Sequence, residues 1–399
     1  MKPPIRPQPA ACPTDWRCVR ALALCMAACG LALGLSYPLF SLVLAEAGVS
    51  DFMNGVSGAM TGLGMLASNA AVPLLLRRLG IRRTLLLGLA GAAACLFAAP
   101  LSGPSALWLP LRGLLGCCIN IAFIVTEVWL NATAGEAQRG RAIGVYTAAM
   151  AAGFALGPLL LVALGTGGAQ PFLACAALVL AGSLPVLPLQ GAPGGAFLRL
   201  RLGGVLGFFR VAPLLVSLVL VYALFDGAAL VVLPLYFLEV GFTEGESAAG
   251  LATLLAGMVL LQLPIGWLLD RLPRRAVIAG CTLAAAACCA LLPQALGQPA
   301  LLAVLLMILG GLAVGLFTGA LTLLGARFEG ATLVAGTTAM GVVYGLGNAL
   351  GPFAAGAALQ GFGAASLPLL LTALFLATAL ATLLPQRRPL RQVQPQAGD

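Results

Sequence analysis

Residues 53–101 read MNGVSGAMTGLGMLASNAAVPLLL-RRLGIRR-TLLLGLAGAAACLFAAPL: two apolar runs, 53–76 and 84–101, joined by seven residues of which four are Arg. Neither run contains an acidic or basic residue. An α-helix rises about 1.5 Å per residue, so about 20 apolar residues cross the hydrocarbon core of a bilayer. Arg77, Arg78, Arg82 and Arg83 need water or lipid headgroups around them. The stretch therefore predicts two membrane-spanning helices joined by a short basic loop on one face of the membrane.

The same arrangement recurs along the chain. Spanning segments are expected at 20–45, 53–76, 84–101, 105–129, 142–164, 171–189, 213–238, 247–269, 276–293, 299–325, 332–358 and 366–384. Twenty of the 21 Lys and Arg residues fall in alternate gaps between them. These are Lys2, Arg6, Arg17 and Arg20, then 77–83, Arg139 with Arg141, Arg199, Arg201 and Arg210, Arg271 with Arg274 and Arg275, Arg327, and finally Arg387, Arg388 and Arg391. The intervening gaps hold no base and several acids: Glu46, Asp51, Glu239, Glu244 and Glu246. Cells retain Lys and Arg on the cytoplasmic side of polytopic membrane proteins. The expected fold is an all-α integral membrane protein with twelve transmembrane helices and both termini cytoplasmic. Tails would occupy 1–19 and 385–399. The first segment is too long for a signal-peptide core and is read as a retained helix.

Composition agrees. Charged residues are 8% and apolar residues 61%, with mean hydropathy +1.06. A soluble domain carries about 25% charged residues. The net charge of +9 is spread over separate loops, which points to anionic lipid headgroups and away from nucleic acid. Trp16, Trp108, Trp129 and Trp267 fall near segment ends and are expected to be interfacial anchors. Eleven Cys lie mostly inside segments, with no His and no Cys-x-x-Cys, so metal and redox sites lose their signatures. No phosphate-binding Gly-x-x-x-x-Gly-Lys-Ser/Thr occurs, and Lys2 is the single Lys. The chain is expected to be no enzyme and to need no cofactor or metal.

Internal repetition orders the segments into halves. Glu46-Ala-Gly48-Val-Ser50-Asp51 recurs as Glu239-Val-Gly241-Phe-Thr243-Glu244, offset by 193. Arg78 recurs as Arg271 and Glu136 as Glu329 at that offset, and Gly157-Pro158 as Gly351-Pro352 at 194. Two six-helix bundles in parallel orientation, 20–189 and 213–384, would be joined by a cytoplasmic connector at 190–212. Parallel six-helix halves with a midplane site between them are one transporter architecture.

Gly266-Trp-Leu-Leu-Asp270-Arg271-Leu-Pro-Arg274-Arg275 resembles the Gly-x-x-x-Asp-Arg-x-Gly-Arg-Arg signature of the major facilitator superfamily, with Pro273 at the second Gly. The first-half copy, Pro73 to Arg83, keeps Arg78 and Gly80 but has Arg77 where the acid belongs. Arg112-Gly-Leu-Leu-Gly116 is similar to the Arg-x-x-Gln-Gly motif of helix 4 without its Gln. Gly153-Phe-Ala-Leu-Gly157-Pro158 resembles the helix 5 pattern of antiporters. Glu127-Val-Trp129-Leu-Asn131, with Arg139-Gly-Arg141 and Tyr146, is similar to the YcaD-like branch of bacterial transporters. The resemblance covers residues 18–386. It implies a gate at the signature loop, closed by charge pairs and helix-end contacts. It also implies a cavity lined by helices 1, 4, 7 and 10.

Ionisable groups inside spanning helices are costly, so the exceptions mark candidate sites. They are Arg112, Glu127 and Asp226, and none has a charged counterpart in the other half. Asp226 lies near the middle of its segment with Tyr222 one turn earlier on the same face. A carboxylate in a low-dielectric site can exchange protons near neutral pH, as a proton-coupled carrier needs. The bland alternative is a carboxylate bonded to a nearby Tyr or backbone group. Arg112 is placed about two turns into helix 4. Glu127 is 15 positions on, roughly 22 Å along the axis, and with Asn120 the three fall within about an 80° arc. Arg112 could instead snorkel to headgroups, and Glu127 could anchor a helix end by pairing with Arg139 or Arg141. Tyr37, Asn120, Thr318, Tyr344 and Asn348 are further polar groups for a cavity. Gly153, Gly157, Pro158, Gly351 and Pro352 are expected helix bends.

The expected activity is secondary transport of a small organic solute by alternating access, coupled to protons, with export favoured by the helix 5 pattern. Import by proton symport and a non-transporting sensor are the alternatives. The partners would be the lipid bilayer, the small-molecule substrate and protons. A monomer in a bacterial cytoplasmic (inner) membrane is expected, with the proton gradient as energy source.

Overall fold

In a computed structural model the described residues are 14–103, 106–134, 138–189, 207–209, 211–328 and 330–384. Among them the regular structure is helical throughout, with no strand. Helix α1 is Trp16–Glu46. It opens on Asp15, whose carboxylate accepts from the amides of Arg17 and Cys18. It therefore starts four residues before the expected segment. Asp51–Ser102 is one helical trace broken only at Gly80, at φ 76° and ψ 170°. A residue with a Cβ rarely adopts that backbone. The break makes two helices, α2 (51–79) and α3 (81–102).

Packing proves that the chain reverses there. A Cβ built on Gly64 would meet the Gly113 carbonyl, and one on Gly91 would meet Cys118 Sγ. Twenty-seven residues of straight helix would separate those two glycines by about 40 Å. Their contacts are only five residues apart on the next helix, α4 (Trp108–Thr133). So α2 and α3 lie beside the same part of α4.

The remaining elements are α5 (Arg139–Leu164), α6 (Gln170–Ser183, extended by the 3-10 turn Leu184–Val186), α7 (Pro213–Glu239) and α8 (Glu244–Arg271, interrupted at Leu261). They continue as α9 (Arg274–Ala295), α10 (Pro299–Arg327), α11 (Gly330–Phe362) and α12 (Ser366–Leu383). Among the described residues ten helices are long and apolar enough to span a membrane. Asp51–Ser102 supplies two crossings and the shorter Gln170–Val186 another, which gives twelve.

The two halves pack alike. In the first, α1 lies on α5 and α2 on α4; in the second, α7 lies on α11 and α8 on α10. Glycine permits both kinds of contact. A Cβ on Gly153 would sit 2.1 Å from the Ala27 carbonyl, and one on Gly351 would sit 2.2 Å from the Leu224 carbonyl. Small residues let helix backbones approach this closely where lipid offers no hydrophobic drive to associate. The glycines expected as bends are thus contact points, as Gly157 also is against Gly34. Helices α5 and α11 run on through Pro158 and Pro352.

The basic loops act within each half. The Arg82 guanidinium donates to the Leu187 carbonyl at the end of the first bundle. Arg275, offset by 193, donates to the Leu384 carbonyl at 3.3 Å at the end of the second. Each Arg ties the start of one helix to the C-terminal carbonyls of its bundle's last helix, where a cation is favoured. Arg275→Ala is expected to cost about 1 kcal/mol of stability. A lower thermal midpoint with unchanged solute counterflow would check it.

Two anchors are not where they were expected. Trp108 and Trp129 are fully buried in protein. Trp108 Nε1 donates to the Ala99 carbonyl, and its ring meets Phe40 and Phe172 edge-on at 4.9 and 5.5 Å. An indole that can satisfy its N–H packs well in a core. Trp267 is exposed, and Trp16 Nε1 donates to Gln138 Oε1. Glu136, Glu329 and the Arg residues at 199, 201 and 210 lie outside the described residues, as do both tails apart from 14–19.

Candidate functional site

The halves meet along one end and part along the other. At the acid-bearing end, α2 lies against α11 and α5 against α8. Built Cβ atoms on Gly55 and Gly62 would sit 2.4 Å from the Pro352 carbonyl and 2.5 Å from the Ala349 nitrogen. The Phe52 amide donates to Gln360 Oε1 at 3.0 Å, and Thr166 donates to the Glu244 carboxylate. Glu46, Asp51, Glu239 and Glu244 line one cleft there. Toward the Arg-bearing end this seam runs out. Gly345 still abuts Leu66, but nothing stands within 4 Å of a Cβ on Gly341.

The buried charges sit behind that closed seam. Asp226 is midway along α7 and only 5% exposed. Tyr344 Oη of α11 donates to Asp226 Oδ2 at 2.7 Å. Asn348, one turn further along α11, lies within electrostatic reach, while its own buried Nδ2 has no hydrogen-bond partner. Tyr222 stacks on Tyr344 with ring centroids 6.1 Å apart, and Phe317 of α10 closes the group 5.3 Å from Tyr222.

Arg112 is 2% exposed. It sits one turn into α4, not two, and it does not snorkel. Nε donates to Thr61 Oγ1 at 3.3 Å and Nη1 to Ser57 Oγ at 3.5 Å, both on α2. The guanidinium carbon lies 4.9 Å from the Phe40 ring centroid and 6.0 Å from that of Tyr37. No described carboxylate pairs with it. Tyr37 on α1 lies in the electrostatic field of both Arg112 and Asp226.

The structure thus brings together four expected residues, Asp226, Arg112, Tyr37 and Tyr222. Phe317, Ser57 and Thr61 join them unforeseen. Nothing in their spacing distinguished them from ordinary helix residues. Tyr344 and Asn348 had stood only among scattered cavity candidates, although their spacing puts both on one face of α11.

Asn120 and Glu127 stand apart. Asn120 Nδ2 donates to the Met65 carbonyl at 3.0 Å and to Ser68 Oγ at 2.6 Å, pinning α4 to α2. Asn120→Ala is expected to lose about 1–3 kcal/mol of stability through two unmade bonds. Denaturation that shifts while solute selectivity holds would check this. Glu127 is exposed near the Arg-bearing end. Arg141 lies over the Trp16 ring at 5.3 Å instead of pairing with Glu127, and the Arg139 side chain is outside the described residues.

The signature loop is open. Asp270 is exposed with no described ion pair, and Gly266 has no neighbour within 4 Å of a built Cβ. Arg271 lies over the Trp267 ring at 4.2 Å, and Arg274 is half-buried. Arg78 is exposed, and Gly80 serves the α2–α3 reversal. Charge pairs of a closed gate would need the Arg-bearing ends to approach.

A family model described as Major Facilitator Superfamily matches residues 22–258 and 214–399. This chain belongs to the major facilitator superfamily. It is similar to the Uncharacterized MFS-type transporter YfkF of Bacillus subtilis (strain 168), at 25% identity over 357 residues, 87% of this chain and 90% of the relative. It is also similar to the Uncharacterized MFS-type transporter YcaD of Escherichia coli (strain SE11), at 26% identity over 348 residues, 83% and 86% of the two chains. Among solved structures, a mutant form of the nucleoside transporter NupG superposes with TM-score 0.76 at 12% identity, covering 92% of this chain and 98% of that one. A D-xylose-proton symporter gives TM-score 0.73 at 14% identity, covering 92% and 97%. At those identities the superpositions establish the MFS fold. The chain is an MFS transporter of small solutes, not an enzyme. In MFS terms Tyr37, Arg112, Asp226 and Phe317 supply one residue each from helices 1, 4, 7 and 10.

Proposed function

We propose that this MFS protein moves a small organic solute by alternating access and couples that movement to protons, with Asp226 as the proton carrier. The observation that carries the reading is a carboxylate buried midway along α7 that accepts a hydrogen bond from a tyrosine hydroxyl of α11. A hydroxyl can donate to an ionised carboxylate or accept from a protonated one. The group can therefore change protonation without leaving a buried polar atom orphaned. The one-sided seam between bundles supports rocking about this site.

The Gly153 to Pro158 pattern resembles that of antiporters and favours export by proton exchange. A second reading, co-movement of proton and solute, is favoured by the unpaired charge of Arg112. We read the Arg-bearing end as cytoplasmic, in a bacterial inner membrane. We read the working unit as a monomer. Counterflow in proteoliposomes tests transport itself. A luminal pH dye then separates the two couplings, because solute uptake alkalinises the lumen in exchange and acidifies it in co-movement. No luminal change with active counterflow would remove proton coupling.

A further inference from the structure

Arg112 is the interior cation among the described residues, and no protein anion touches it. Its hydrogen-bond acceptors are two neutral hydroxyls, Ser57 and Thr61, and Nη2 donates to no described residue. An unpaired charge in such surroundings is strongly disfavoured. The interior carboxylate among the described residues is Asp226, on α7. The groups interacting with Asp226 are Tyr222 on its own helix, Tyr344 and Asn348 on α11 and Tyr37 on α1, with Phe317 of α10 against the Tyr222 ring. None of these is charged at neutral pH. Glu127 is exposed and outside the group.

Within the co-movement reading, charge balance then favours one class of solute. With Asp226 ionised and no solute, the interior holds one positive and one negative charge and is neutral overall. With Asp226 protonated, it holds one uncompensated positive charge. A monoanion on Arg112 restores neutrality in that form only. When one proton accompanies each solute, a dianion, a cation or a neutral solute leaves the loaded carrier charged in a low-dielectric core. Donor chemistry narrows the class. One planar guanidinium fork flanked by hydroxyls matches a carboxylate, whereas a phosphate dianion would call for a second cation.

We propose that the transported solute is a small organic monocarboxylate, seated on Arg112, and that it crosses together with one proton held by Asp226. The inference rests on the co-movement reading above. In the present arrangement the guanidinium is covered. Ser57 adjoins Gly58, on which a Cβ would lie 2.7 Å from Val231 of α7. Parting of α2 from α7 and α11 uncovers this side, so the anion loads from the acid-bearing end.

Acetate, a bare carboxylate, is the probe. The full-length protein is titrated with sodium acetate against sodium chloride between pH 6 and pH 8. Thermal stability and proton uptake from a weakly buffered dye are both read. Wild type is expected to be stabilised by acetate and to take up one proton per acetate bound. Its apparent affinity should weaken about tenfold per pH unit once Asp226 is ionised, because one proton is linked to each anion. Asp226→Asn should bind acetate with no pH dependence and no proton uptake. Arg112→Gln should lose the response. Arg112→Lys, which keeps the charge and guards against misfolding, should bind more weakly but still take up the proton. Wild type responding to acetate no more than to chloride overturns the solute class, as does a wild-type response in both Arg112 variants. Acetate binding without proton uptake overturns the shared proton and leaves the anion site standing. Proton-driven transport that Asp226→Asn abolishes, in a protein indifferent to acetate, would sink only the solute class and preserve the coupling reading.

Discussion

Asp226→Asn should abolish proton-driven accumulation while solute counterflow persists. One pH unit corresponds to about 1.4 kcal/mol, so a carrier moving one proton per solute accumulates about tenfold per imposed unit. An amide has the shape of the carboxylate but binds no proton near neutral pH. Tyr344 can still donate to its oxygen, so the stack of Tyr222, Tyr344 and Phe317 has no reason to collapse. Accumulation should fall to the equilibrium ratio at every imposed gradient. Both quantities are measurable in the same vesicles. Retained proton-driven accumulation would move the coupling site elsewhere, and loss of counterflow as well would indicate a folding role.

Gly62→Leu is expected to open the acid-bearing end. The nearest neighbours there are backbone: a Cβ would lie 2.5 Å from Ala349 N, 2.8 Å from its Cα and 2.8 Å from the Asn348 carbonyl carbon. Flexible side chains can move aside, but the α11 backbone cannot without carrying the helix with it. Overpacking of this kind costs about 1–3 kcal/mol. Because it burdens only the arrangement with α2 on α11, the cost becomes a population shift of about 5–150-fold toward the alternative. Ser57→Cys reports the change. Ser57 is 1% exposed here, and the described cysteines are free and mostly buried. A membrane-impermeant maleimide added from the acid-bearing side should label it much faster in the Gly62→Leu background. Unchanged labelling would mean that this seam does not gate access.

Much of this was legible in the chain. The seven residues from Arg77 to Arg83 already required a reversal between two apolar runs, and the reversal is at Gly80. The offset of 193 read at Arg78 and Arg271 also separates Arg82 from Arg275, and only the structure shows that these two do the same work in the two halves. Arg112 and Asp226 stood out because lipid makes an interior charge expensive wherever the chain folds. The signal was weaker where the alternatives were equally cheap. Ser41 and Thr126 bond their own helix carbonyls, as such residues usually do, and no pattern told them from Ser57 and Thr61, which turn to Arg112. Asn120 shares a helix face with Arg112 by periodicity, yet its amide finds α2 first.

The sequence alone determined that the chain crosses a membrane many times, in two related halves, with its basic loops on one face. Those properties follow from the transfer of each segment between water and lipid, a local cost that depends on composition and order. Which polar groups face one another was decided only by the tertiary structure. Tyr37 shares the field of Arg112 and Asp226, and the seam closes at the acid-bearing end, because glycines on separate helices let particular backbones approach. Such contacts join residues far apart in the chain, as Gly62 with Ala349, and their energy exists only once the helices have packed.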